Sequence, residues 1–169
     1  MIPLHYCVDV LMERIPLVNR WVSEQWRPAA VIPAFEGPGA PAPAERIADG
    51  PDGTTWRFPG RDIELHVSEA EGYYLNITSD TPLVFVMWRP AEDSTEPAVR
   101  PEYVTVSYNQ AGRFMDGGEK VDPVPMPDVI LQWMRPFVAE YYKPEPRRKV
   151  KRNDPFKDGA FVRERLPRE

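Results

Sequence analysis

At 169 residues, 42% hydrophobic and 11% aromatic, the chain is sized for one domain and has enough apolar material to bury a core, which excludes disorder throughout. The lone Cys7 excludes an internal disulfide framework and any multi-cysteine metal site, and it fits a reducing compartment. The net charge of −5 divides unevenly, because residues 1–142 carry a net −10 and residues 143–169 a net +5, so the chain reads as an acidic body with a basic tail.

Proline is the compositional outlier. The 21 prolines are more than twice the usual share of about 5%, and Pro interrupts helix interiors and central strands, so short elements and long connections are expected. From Ile2 to Met12 every even position is apolar (Ile2, Leu4, Tyr6, Val8, Val10, Met12), the period-2 pattern of a strand with one buried face. A connection bearing Trp21 and Trp26 follows, with both rings expected to pack on that strand, and then an apolar strand candidate from Ala29 to Pro33. Residues 35–53 hold two breaker clusters, Gly37 to Pro43 and Asp49 to Gly53, and read as an exposed loop. Ile63, Leu65 and Val67 then alternate with polar residues, and Glu69 to Gly72 predicts a turn into Tyr73, Leu75 and Ile77, a hairpin.

Leu83 to Trp88 is apolar at every position, which predicts a central strand covered on both faces or one packed under a helix. Tyr103 to Tyr108 predicts a further strand ended by Asn109 to Gly112, and Asp116-Gly117-Gly118-Glu119 reads as a turn. The single expected helix runs from Pro127 to Tyr142, where Val129, Ile130, Trp133, Met134, Phe137, Val138 and Tyr141 recur at three-to-four-residue spacing. Pro127 suits its first turn and Asp128 its positive end, while Pro136 predicts a kink or a break. Beyond Tyr142 the charged, proline-interrupted segment has few apolar anchors.

These elements assemble into an α+β reading: a mostly antiparallel curved sheet or small barrel over residues 1–142, one C-terminal amphipathic helix, and an extended basic tail over 143–169. No signal-peptide start and no apolar run near the roughly 18 residues of a membrane span is present, so a cytoplasmic location is expected.

No nucleophile elbow, phosphate-binding loop or dinucleotide fingerprint occurs. His5 and Cys7 share one face of the first strand, and with His66 and a carboxylate they are the chain's one conceivable metal set or thiol and base pair. The plain reading places His66 on a wet hairpin face beside Asp62 and Glu64 and makes Cys7 a small half-buried side chain. Neither a metal nor another cofactor is therefore expected, and no catalytic residue is assigned.

The tail keeps three readings. Arg147, Arg148, Lys149, Lys151 and Arg152, with Val150, Phe156 and Phe161 as apolar anchors, suit docking on an acidic protein surface. A solubilising or self-docking tail comes next, and nucleic acid last, because the acidic body would repel a duplex.

The run Val10-Leu11-Met12-Glu13-Arg14, followed by Asn19-Arg20-Trp21 and Ser23-Glu24-Gln25-Trp26, resembles the opening of a proteobacterial family known as domain of unknown function 3305. The likeness covers about Pro3 to Tyr142, including the late helix with Trp133. Members are typically encoded beside formate dehydrogenase and related molybdenum or iron–sulfur oxidoreductase genes, so the resemblance implies a non-enzymatic accessory, subunit or assembly role on such an enzyme. It carries over no catalytic residue. Partner contact is expected at Trp21, Trp26 and the tail. The competing expectation is a small-molecule or cofactor site, or an enzyme, among aromatics such as Trp56, Tyr74 and Trp88.

Overall fold

A computed structural model of the chain describes residues 1–36, 42–93 and 96–146. Among them the alternation from Ile2 onward becomes β1 (His5–Pro16), which pairs antiparallel with β2 (Glu24–Pro33) on one side and β4 (Gly53–Glu64) on the other. β3 (Glu45–Gly50) completes a sheet of order β2-β1-β4-β3. A second sheet, β6-β5-β7, is built from β5 (Leu83–Pro90), β6 (Val99–Thr105) and β7 (Lys120–Pro125). The all-apolar run lies in its central strand: Val84 and Val86 are buried in the shared core, and Phe85 meets the Tyr108 ring edge-on at 5.5 Å.

The inward side chains of both sheets form one core, with Val8, Val10, Met12, Val31 and Phe58 from the first and Val84, Val86, Val104 and Val124 from the second. The sheets approach each other where β2 nears β7 and β4 nears β6. They remain two separate hydrogen-bonded sheets, which corrects the barrel expectation. Closing a barrel needs edge strands within about 4.8 Å of each other, and Trp26 and Trp88 line a gap between β2 and β7 instead.

Among the described residues three α-helices replace the one expected. The predicted hairpin after Ile63 is correct only in its first half, because Ile63 and Leu65 are buried while Val67–Glu69 is a single 3-10 turn and Ala70–Ile77 is helix α1. Its buried face is Ala70, Gly72, Tyr73 and Asn76; two of these are not apolar, and Leu75 is 44% exposed, so the period-2 appearance of Tyr73, Leu75 and Ile77 was misleading. Tyr108–Asp116 is helix α2 rather than the end of a strand. Ser107 caps it, its hydroxyl accepting from the Gln110 N–H at 3.1 Å, as capping chemistry requires. The predicted turn at Gly117 and Gly118 is present.

Helix α3 (Asp128–Tyr141) buries Ile130, Met134, Phe137 and Val138 and continues through Pro136 without a break. Pro136 is on the exposed face, where water can satisfy the carbonyl that loses its partner. The expected loop over 35–53 also contains a strand. All six β3 residues are exposed, so no burial periodicity marks it, and the chain reverses through Gly53 at φ 142°, where a Cβ would stand 2.3 Å from the Arg14 carbonyl oxygen.

Two buried polar groups join the layers. The Asn76 side chain, fully buried, donates to the carbonyls of Leu83 (2.7 Å) and Val106 (2.8 Å) and accepts from the Leu83 N–H (2.9 Å), so α1 is fastened to β5 and to the residue after β6. At Gly72 a Cβ would lie 2.2 Å from the Ser107 hydroxyl, so the α1–α2 junction demands glycine. Ser107 also donates to Glu69 at 2.5 Å, and Glu69 pairs with Arg113.

Candidate functional site

The long hairpin of β1 and β2 is paired as far as Pro16 and Glu24, and the Leu17 N–H closes its loop on the Ser23 carbonyl at 2.9 Å. At this tip Val18 is fully exposed, Trp21 is 85% exposed and Val22 is 51% exposed. The Arg20 guanidinium lies 5.7 Å from the centre of the Trp21 ring, and the Trp21 N–H donates to Asn19 Oδ1 at 2.9 Å. Both contacts hold the ring locally, outside the core. This corrects the expectation that Trp21 packs on the first strand: the strand pairing ends at Pro16 and Glu24, and Trp21 lies in the loop between them. Trp26, inside β2, does pack against the core.

Between β2 and the second sheet lies a cleft of about 770 Å³. Trp26, Trp88, Met115 and Lys120 are among its walls. The Trp88 indole N–H donates to Asp122 at 2.7 Å and the Lys120 ammonium stands 4.8 Å from the Trp88 ring centre. On the same wall Arg89 grips Glu119 through two hydrogen bonds, 3.0 and 2.5 Å, and that hydrogen bonding holds the Glu119 carboxyl below its ordinary pKa. A smaller hollow of about 90 Å³ adjoins it, sharing Glu24, Trp26 and Ala98 and adding Trp56. Of the aromatics expected to form a ligand site, Trp88 lines the cleft and Trp56 the smaller hollow, with Trp26 common to both. Tyr74 lines neither; it stacks on Tyr142 at 4.3 Å.

The two histidines meet at one carboxylate. His5 opens β1 opposite Glu64; its Nδ1 is 2.6 Å from Asp62 Oδ2 and its Nε2 is 3.9 Å from Glu64 Oε1. His66 Nε2 is 3.7 Å from Glu64 Oε2. The hydrogen bond His5 donates to Asp62, together with the carboxylate's negative charge, raises the His5 pKa above the ordinary 6.5. Cys7 is half-buried and pairs in register with Asp62.

A buried acid also went unnoticed in the sequence. Asp9 is 1% exposed beside a bulge between Val8 and Val10, and its carboxylate accepts from the Gly60 N–H at 3.2 Å and from Arg57 at 3.4 Å. An acid on the wet side of an alternating strand gives no sequence signal of this role; the bulge creates it. The tail positions Arg147, Arg148, Lys149, Val150, Lys151, Arg152, Phe156 and Phe161 lie outside the described residues.

A family model matches residues 7–151, most of the chain. The chain belongs to the family described as protein of unknown function DUF3305. Membership in DUF3305 accounts for the resemblance in the opening strand and hairpin, and it assigns no activity. No curated protein and no solved structure matches the chain. Among the described residues no helix is long and apolar enough to cross a membrane.

Proposed function

We propose that this DUF3305 protein is a non-enzymatic accessory that docks on a larger protein through the Val18–Val22 tip, the partner being a molybdenum or iron–sulfur oxidoreductase such as formate dehydrogenase. The observation that carries the docking is the exposure of Trp21 at the end of a twelve- and ten-residue strand pair. With Val18 and Val22 beside it, Trp21 forms an exposed apolar patch, and tryptophan is enriched among the residues that anchor interfaces. The class of partner rests on the family resemblance. The five basic residues among 147–152, with Val150, Phe156 and Phe161, supply a second contact in this reading, one that steers toward an acidic surface.

The test is co-purification of the tagged full chain from its native host. An oxidoreductase should be recovered with the wild type and fall at least tenfold with Val18→Asp and Trp21→Ala together. Equal recovery by the variant overturns the tip, and recovery of no oxidoreductase overturns the partner. A second reading, a small-molecule site, is favoured by the Trp26 and Trp88 cleft. Its size lies within the usual range of ligand pockets, about 300–1,000 Å³. A ligand held there would raise Tm in a thermal-shift screen, and Trp88→Ala would remove that rise.

A further inference from the structure

We propose that His5, Glu64 and His66 form a surface site for a divalent transition-metal ion, Zn²⁺ foremost, with Asp62 as the group that orients His5. The donors occur on alternate positions of one chain segment, Glu64 and His66, and on the residue paired across from Glu64, His5. Alternation puts such residues on one face, and antiparallel pairing sets the cross-strand neighbour about 5 Å away at Cβ. The backbone beneath them is fastened, because the Leu65 N–H donates to the Leu4 carbonyl at 2.8 Å and the His66 N–H donates to the Tyr73 hydroxyl at 3.0 Å.

Both histidines approach Glu64, each at a different oxygen. Ligands about 2.0–2.1 Å from a tetrahedral zinc lie roughly 3.3–3.4 Å from one another. The Glu64 oxygens are 3.9 and 3.7 Å from the two Nε2 atoms, one oxygen to each ring, so the side chains must turn to bring their donors onto one ion. As they stand, the side chains do not form a ligand set. All are close to half exposed, so side-chain rotation over the pinned backbone closes it. Asp62 on His5 Nδ1 is the arrangement that leaves Nε2 to the metal, since a ligating imidazole almost always gives its other nitrogen to a carboxylate, a carbonyl or water. Two imidazoles and a carboxylate suit zinc and its neighbours and leave a fourth position for water or a partner's ligand.

Calorimetric titration of the chelator-stripped full chain with Zn²⁺ alone tests this. One ion per chain should bind with a micromolar Kd, and Glu64→Gln and His66→Ala should each weaken it at least tenfold while circular dichroism stays native. Binding should also fall as pH drops from about 7.5 to 5.5, because imidazoles must lose their protons to bind metal. The tail has no histidine or cysteine to substitute for the site. Absence of saturable one-to-one binding, or binding unchanged in both variants, overturns the proposal.

Discussion

The two sheets solve different problems. The four-stranded sheet is joined at its surface by ion pairs such as Arg27 with Glu13 and Arg57 with Glu45, and its hairpin carries exposed apolar side chains beyond the last strand pair. The three-stranded sheet is tied to the helices by buried polar groups, Asn76 and Ser107, that have no exposure. Exposed ion pairs contribute little, with a median of about 0–1 kcal/mol, whereas an orphaned buried donor or acceptor costs about 1–3 kcal/mol. The lesson is a division of labour: Asn76 and Ser107 fasten the helices through buried polar contacts, whereas the hairpin tip, beyond the last strand pair, is free to be chosen for contact.

Mutations can break this contrast. The largest effect is expected from Asn76→Ala, which orphans the Leu83 N–H, the Leu83 carbonyl and the Val106 carbonyl together. It should cost about 3 kcal/mol or more, measured by urea denaturation, and a loss below about 1 kcal/mol would show that these buried contacts do not hold the helix to the sheet. Trp21→Ala should change stability by no more than about 0.5 kcal/mol, as for surface sites without buried partners. A larger loss in the same assay would make the tip structural and remove its reason for being exposed.

The smallest effect concerns His5. Its folded-state pKa is raised by Asp62, so its stabilising contribution is present below the unfolded value and is lost as pH rises through the folded one. In an NMR titration the His5 ring should titrate above 6.5, and Asp62→Asn should bring it down. A value at or below 6.5 in the wild type would mean that the pair does not persist in solution.

Where burial follows apolar period, the sequence reading matched the fold. β1 is a strand because Val8, Val10 and Met12 alternate, β5 is central because all of Leu83 to Trp88 is apolar, and α3 lies where its stripe predicts. The misses have different causes. In α1 the buried face is made partly of Gly72 and Asn76, so no apolar stripe marks it, whereas in α2 Tyr108, Ala111, Phe114 and Met115 recur at helical spacing in a run of little more than two turns, its first residue absorbed into the preceding strand pattern. β3 has no buried face at all. The candidate sites were legible only as residue types, since Trp21 and Trp26 stand five residues apart in sequence yet one is in water and the other against the core.

By itself the sequence determined the α+β class, the acidic body and basic tail, and the strands and helix whose hydrophobic spacing equals their geometric period. It did so because period is a local property of the chain. Tertiary structure alone decided that two sheets stay separate instead of closing, that Asn76 and Ser107 fasten helices to strands, and that His5 and His66 converge on Glu64 from positions about sixty residues apart. Those outcomes depend on strand register and on polar partners brought from distant segments, and neither is encoded in the spacing of any one segment.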